Sequence, residues 1–285
     1  MMPDRPVDKP GEPPAISARE ISRIGDFLYR WTGMAFGESK RYFIERRIVE
    51  RMARCAIDTV DAYLGYAAAN PGEREILVNA FTVNETYFYR EQHQFAALSR
   101  HILPAIVATR RPGDLVRIWS MPCSTGEEAY SIAIWLLENW ALVDAYNIEI
   151  VASDIDSVAM RAAEAGWYGA KSLARLSPGI LSDYFSEEHD HCRQIIADLR
   201  QSVQFRAANI IHPASVALLG KFDVIFCRNL LIYFDDRSRA VAVDNLSACL
   251  NRGGYICLGH SESMNRISDR FELVRCDDAI VYRKP

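Results

Sequence analysis

Two rhythms of apolar residues divide the chain. From Ile16 to about Phe95 the period is helical. "SAREISRIGDFLYRWTG" sets Ile21, Ile24, Phe27 and Leu28 on one face and meets Gly33, a natural helix stop. "ESKRYFIERRIVERMARC", "TVDAYLGYAAA" and "EREILVNAF" continue that period with no strand-like run between them. A small all-helical domain is therefore expected over residues 15–95. After Phe95, strand-like runs alternate with helical ones. A helix, "QFAALSRHILPAIVATR", leads to the strand "DLVRIWS"; "EEAYSIAIWLLENWALV" (helix), "IEIVASD" (strand) and "DSVAMRAAEAG" (helix) follow. Next come the strands "SVQFRAAN" and "FDVIFC", the helix "DRSRAVAVDNLSACL" and the strands "GGYICLG", "FELVRC" and "AIVYRK". Such alternation implies a mostly parallel sheet covered on both faces. Only "DDA" joins the last two strands, so they form an antiparallel hairpin.

The run "FDVIFCRNLLIYF" (222–234) breaks this pattern at Arg228 and Asn229. An unpaired guanidinium inside a core is too costly to be incidental. Ligands of such sheets sit beyond the carboxyl ends of the strands, so the pair is placed on a functional rim. Composition narrows the classes further. Of 285 residues, 49% are hydrophobic and 25% charged, enough for a substantial core. The net charge of −4 gives no sign of nucleic-acid binding. No apolar run approaches the ~20 residues of a membrane span, and the N-terminus lacks the apolar core of a secretory signal. Residues 1–14, "MMPDRPVDKPGEPP", are dense in proline and charge and read as a disordered tail. The seven cysteines are odd in number and scattered, as expected of reduced thiols in a cytoplasmic protein.

Candidate chemistry collects at strand ends. In "RIWSMPCSTGEEAYS" a turn of small residues, Pro122 to Gly126, separates a strand from a helix. It permits close backbone approach to a ligand, and Gly126 can take a positive φ. G-x-G-x-x-G is missing here, which argues against a dinucleotide. Glu127 and Glu128 at the helix start repel phosphate and attract a cation. That charge suits S-adenosylmethionine, which carries an ammonium and a sulfonium but no phosphate. "IEIVASDID" then places Asp154 where a carboxylate accepts hydrogen bonds from ribose hydroxyls. Asp154 or Asp156 can equally cap the helix that starts near Ser157; with the glycine turn beside it, Asp154 takes the ribose and Asp156 the cap.

"TVNETYFYRE" (82–91), "WSMPCSTGEEAYSIAI" (119–134), "ASDID" (152–156), "FDVIFCRNLLIYFD" (from 222) and "LGHSES" (258–263) together resemble the CheR-type chemoreceptor glutamate methyltransferases, in that family's order and from about residue 20 to the end. The resemblance implies an α/β fold, the Rossmann-like S-adenosylmethionine-dependent methyltransferase sheet, over 96–285 behind the helical domain. It adds a small β-subdomain at about 186–204. It implies methyl esterification of glutamate side chains on methyl-accepting chemotaxis receptors, with S-adenosylhomocysteine as product and no metal. By motif position, cofactor contacts fall on Asn84, Thr86, Arg90, Glu128, Asp154, Asn209, Ile210, Arg228 and Asn229. Arg90 and Tyr233 fall near the transferring methyl group. Asn209, after "VQFRAA", is placed to read the adenine edge with its amide.

Methyl transfer to an ionised carboxylate needs no general base, so Arg90 is assigned to positioning and Tyr233 to a hydrogen-bonding wall. The plainer readings are an ion pair of Arg90 with Glu85 or Glu91 and a core role for Tyr233. Family members that dock on a receptor C-terminal pentapeptide carry a glycine-rich loop in the β-subdomain. "FSEEHDHCRQIIADLRQ" is short and has no glycine, so independence from that tether is expected. At ~100° per residue, Lys40, Arg47, Arg51 and Arg54 share one helix face beside the apolar stripe Ile44, Ile48, Met52 and Cys55. A basic face is usually just solvated, but opposite glutamate-rich receptor helices it becomes a candidate docking stripe. His189, His191 and Cys192 fit no metal-ligand spacing. His260, after a strand end, is expected on the same rim with no assigned role, and His212 in a loop. The rivals are a methyltransferase of amines, nucleic acid or another protein substrate, and a non-catalytic S-adenosylmethionine-binding module of receptor arrays. "RNLLIY" stands where many base-amine methylators carry Asn/Asp-Pro-Pro-Tyr.

Overall fold

The computed structural model describes residues 16–36, 40–264 and 267–285. The tail expected at 1–14 lies outside them. The chain divides into two compact units, one of residues up to Trp31 with Ala35–Ala80, the other of Thr32–Met34 with Phe81–Pro285. The break thus falls at residues 80/81, not at 95. The stretch 82–91 has no helical period of its own and belongs to the second unit.

The first unit comprises helices α1 (Ala18–Thr32, its last residue in the second unit), α2 (Arg41–Arg54), α3 (Val60–Ala69) and α4 (Pro71–Phe81, likewise). A capping box starts α1: Glu20 N donates to Ser17 Oγ at 3.3 Å, and Ser17 N donates to Glu20 Oε2 at 2.9 Å. Gly33, at φ +73°, follows its last residue. Thr59 caps α3 by accepting from Ala62 N. Ile24, Phe27, Leu28, Ile44, Ile48 and Tyr63 are buried.

The basic stripe expected to face outward on α2 does not do so as a whole. Arg51 turns inward, with 13% of its side chain exposed, and grips Glu73 through Nε at 3.0 Å and Nη2 at 2.5 Å. Tyr63 Oη also donates to Glu73, at 2.6 Å. Burial works against the Glu73 charge, but the Arg51 and Tyr63 hydrogen bonds outweigh it and hold the carboxyl below its ordinary value. Arg47 packs on the Phe43 ring at 3.5 Å and donates to the Ala80 carbonyl. Lys40 and Arg54 are exposed, and Arg54 pairs with Glu50 at 2.8 Å. The stripe is in part an internal clamp because Glu73 and the end of α4 draw two of its cations in. Arg51→Glu therefore faces a buried carboxylate with a second one. Urea unfolding should show a loss of about 3 kcal/mol or more; unchanged stability with a raised receptor KM would instead restore the docking role.

In the second unit, α5 (Gln92–Ala97), a π-helical turn at Leu98–Ile102 and α6 (Leu103–Val107) precede the sheet. The strands are β1 (Leu115–Ser120), β2 (Asn147–Asp154), β3 (Trp167–Gly169), β4 (Cys192–Gln194), β5 (Val203–Ala207), β6 (Phe222–Cys227), β7 (Leu250–Leu258), β8 (Glu272–Cys276) and β9 (Ala279–Arg283). Between them lie α7 (Glu127–Asn139), α8 (Ser157–Ala165), α9 (Ala170–Leu173), α10 (Pro178–Tyr184), α11 (Ala197–Ser202), α12 (Pro213–Ala217) and α13 (Asp236–Cys249). Among the described residues, seven strands form one sheet in the order β5-β2-β1-β6-β7-β9-β8. The pairs β5–β2, β2–β1, β1–β6 and β6–β7 are parallel, while β9 is antiparallel to β7 and β8. The mostly parallel sheet with an antiparallel end is the fold expected from the alternation of runs.

β3 and β4 form a separate antiparallel pair, extended by a Phe185↔Ile195 bridge. The small subdomain implied at 186–204 accordingly takes its first strand from 167–169, while 197–202 is α11 and β5 of the main sheet starts at 203. Three residues, "WYG", are too few to show any period. Beneath the sheet's other end, Asp223 is buried at the start of β6 and accepts from Arg110, from Arg117 N at 2.9 Å and from Asn251 Nδ2 at 2.8 Å.

Candidate active site

Adjacent parallel strands β2, β1 and β6 end at Asp154, Ser120 and Cys227, and their loops open on two abutting cavities. One, of about 560 Å³, is lined by Asn84, Met121, Asp154, Asn209, Ile210 and Tyr233 among others. The second, of about 450 Å³, is lined by Thr86, Tyr87, Arg90, Phe95, Glu128 and Arg228 among others. They share Val83, Pro122, Ser124 and Asn229. Every residue carried onto the cofactor by motif position, and Tyr233, lines one or the other.

Asp154 is 4% exposed. Its Oδ2 accepts from Ser124 N at 2.8 Å and its Oδ1 from Asp156 N at 2.9 Å, which fixes the carboxylate at the cavity wall. Asp156 caps α8 through Val158 N and Ala159 N, as expected. Its other oxygen accepts from Thr82 and from Asn84 Nδ2 at 2.7 Å, tying the 82–91 stretch to the strand end. Burial raises the Asp154 carboxyl from its ordinary 3.8 to about 6, against the pull of its backbone donors. A raised acid stabilises the fold fully below the unfolded value, and that contribution is lost as pH rises through about 6. A diol ligand favours the opposite, ionised form. Affinity for S-adenosylhomocysteine should therefore fall up to about tenfold per pH unit below 6, with proton release on binding near that pH. Calorimetry in buffers of different ionisation enthalpy reads both; a flat affinity from pH 5 to 7.5 contradicts this role.

Two acids flank Arg228. Arg228 is 4% exposed and reaches Glu128 Oε2 at 2.8 Å and Glu91 Oε2 at 3.1 Å, while its Nη2 donates to the Arg90 carbonyl at 2.8 Å. The same cation leaves its partners in different states. At Glu128 desolvation outweighs Arg228 and Ser120, and its carboxyl rises; at Glu91 Arg228 and His260 outweigh desolvation, and its carboxyl falls. His260 Nδ1 meets Glu91 Oε1 at 2.8 Å. Of the two acids that open α7, Glu128 lines the second of these cavities and Glu127 neither. Glu127 accepts from Ser172 Oγ and Thr125 Oγ1 and serves the local packing. Gly126, at φ +93°, is likewise a packing requirement: a Cβ there would meet Ala163 at 2.8 Å and Tyr168 at 3.1 Å. Of the same turn, Pro122 and Ser124 line the cavities.

Arg90 donates to the Glu85 backbone carbonyl at 2.6 Å, so neither carboxylate proposed as its plain ion-pair partner holds it. Tyr233 is raised by burial, with Arg90 near enough to pull the other way. Asn209 Oδ1 accepts from Ile211 N at 3.2 Å, which fixes its amide, and the Ile210 carbonyl accepts from Asn245 Nδ2 at 2.6 Å. His212 precedes α12, and His189 and His191 are exposed. Sequence reasoning missed Glu91 as the second partner of Arg228, and missed Met34 and Met121 on the cavity wall. Glu91 was legible only as the second acid of "NETYFYRE", with nothing to show that a residue 137 positions later would meet it.

Two family models match end to end: "CheR methyltransferase, all-alpha domain" over residues 19–82 and "CheR methyltransferase, SAM binding domain" over 84–280. The chain belongs to the CheR methyltransferase family. Among its relatives, "Chemotaxis protein methyltransferase 2" of Vibrio cholerae serotype O1 is 46% identical over 95% of this chain and 94% of that protein. "Chemotaxis protein methyltransferase 1" of Pseudomonas aeruginosa is 34% identical over 93% and 96%. Solved structures align more loosely. The magnesium protoporphyrin IX methyltransferase of Synechocystis PCC 6803 with bound SAM gives a TM-score of 0.37 at 15% identity, covering 74% of this chain and 83% of that one. The N-methyltransferase NodS of Bradyrhizobium japonicum with S-adenosylhomocysteine gives 0.39 at 14%, covering 73% and 92%. The assignment rests on the family models and the relatives, not on these superpositions. The second unit is thus a CheR S-adenosylmethionine-binding domain.

The cavities fit that ligand. A held carboxylate faces the first, the second is flanked by Glu128 and Arg228, and Arg228 Nε is buried without a protein partner. Among the described residues there is no cluster of three or more metal-ligating side chains, and no described helix is long and apolar enough to cross a membrane.

Proposed function

We propose that this CheR-family protein methylates glutamate side chains of methyl-accepting chemotaxis receptors, forming methyl esters. The supporting observation is the pair of abutting cavities, one with a ribose-type carboxylate and one with a mixed ionic wall, joined at Ser124 and Asn229 beside Tyr233 and Arg90. Asp154 would hold the ribose, Asn209 and Ile210 the base, and Asn84, Thr86, Glu128, Arg228 and Asn229 the rest of the donor. Bound S-adenosylmethionine supplies an electrophilic methyl group. The protein's part is to orient and to exclude water. Holding the reactants in line is worth up to ~7–11 kcal/mol. A carboxylate nucleophile needs no base, and too strong a cation against it would stabilise the ground state. Arg90, already anchored to the Glu85 carbonyl, positions the incoming glutamate, and Tyr233 forms the wall beside it. On the helical unit, Lys40 and Arg54 remain as exposed members of the docking stripe. The short, glycine-free 185–201 segment supports recognition without a C-terminal receptor tether.

Receptor-rich membranes incubated with methyl-labelled S-adenosylmethionine should take up label at glutamates and release it in alkali, with the same KM whether or not the receptor keeps its C-terminal tail. Alkali-stable label would indicate an amine acceptor. Binding without transfer would indicate a non-catalytic module.

A further inference from the structure

We infer that Glu262 is a positioning residue for the methyl-transfer site, its carboxylate holding the 228–233 segment in the shape that carries Asn229 and Tyr233 to the cavity wall. The inference rests on the proposed reading of that site. Parallel pairing of β6 with β7 ends at Cys227↔Leu258. Beyond this last rung the backbone N–H groups of both strands need new acceptors. One side chain supplies them. Glu262 Oε2 accepts from Asn229 N at 2.8 Å and from Gly259 N at 2.9 Å, and Oε1 accepts from Leu231 N at 2.7 Å. The carboxylate thus replaces the next rung and bridges the two strand ends.

The segment it holds turns sharply at its start. Asn229 sits at φ +59°, a left-handed conformation uncommon outside glycine that asparagine tolerates better than most side chains, and the Glu262 carboxylate accepts from its N–H there. A short 3₁₀ turn, Leu231–Tyr233, follows and delivers Tyr233. Gly259 is part of the device: a Cβ there would lie 2.8 Å from Asn229 Nδ2 and 2.9 Å from Glu262 Oε2. His260, in the same turn, contacts Glu91, which contacts Arg228. The turn after β7 therefore grips the cavity-lining segment through Glu262 and its preceding arginine through His260. Glu262 itself lines neither of the two cavities. Both of its oxygens accept, so a glutamine of the same shape leaves donors unpaired whichever way its amide faces.

Glu262→Gln should weaken S-adenosylhomocysteine binding about tenfold and lower kcat for receptor glutamates about a hundredfold, with a smaller change in receptor KM. Gly259→Ala should shift both in the same direction. These are measured well below the melting temperature, where a merely structural residue would leave the folded protein's affinity and kcat unchanged; that result overturns the inference. In the wild type, the Asn229 and Leu231 amides should exchange hydrogen as slowly as those of β6, and exchange at open-loop rates also overturns it, whether or not a variant folds. Failure of the wild type to bind S-adenosylhomocysteine would instead strike the reading of the site.

Discussion

Asp154→Ala should lower affinity for S-adenosylhomocysteine by at least about a hundredfold while the protein stays folded. Hydrogen bonds to a charged acceptor are worth about 1.5–3 kcal/mol each, and a ribose diol can offer two. The carboxylate also holds Ser124 N and Asp156 N, so its loss frees the turn between β1 and α7 as well as removing the ligand contact. Its burial disfavours the charge, so the native fold carries an ionised group there at a cost to stability above about pH 6. Removal should consequently be tolerated better by the fold than by the ligand. Equilibrium dialysis with labelled S-adenosylhomocysteine separates the two effects. Affinity within threefold of wild type would remove Asp154 from the ribose site.

Arg228→Met should act in the other order and strike stability first. It leaves Glu91 and Glu128 enclosed without their cation, a change that typically costs about 3–5 kcal/mol. Both carboxyls would then lie above their present values, because the arginine lowers each of them now. The sign of the pH dependence follows. Acids raised by folding stabilise while protonated, and that contribution is lost as pH rises through the raised value. The variant should thus lose less stability at pH 5 than at pH 8, as read by urea unfolding at each pH. An equal loss at both would mean that the carboxylates are not what Arg228 compensates.

These two residues also mark what the sequence made legible. A guanidinium after the four-residue apolar run Val224–Cys227 had to lie at a strand end, and Asp154 stood one βα unit after the small-residue turn. Both readings use local period and chain order, which a sequence displays directly. The partners were not displayed. Glu91 meets Arg228, and Glu262 meets Asn229, across 137 and 33 positions of chain, so only the folded sheet brings them together. That Arg51 of the basic stripe turns inward was hidden for a related reason. Helical angle places Arg51 beside Lys40 and Arg54, but Glu73 and Tyr63 on other helices decide that it turns inward. The β3–β4 pair was invisible to periodicity because each strand has three residues.

Titrating S-adenosylhomocysteine into the folded wild-type protein by calorimetry at pH 7.5 tests most directly whether the strand ends form one donor site. One molecule should bind per chain, and S-adenosylmethionine should compete for the same site. No detectable heat with either nucleoside would contradict the account.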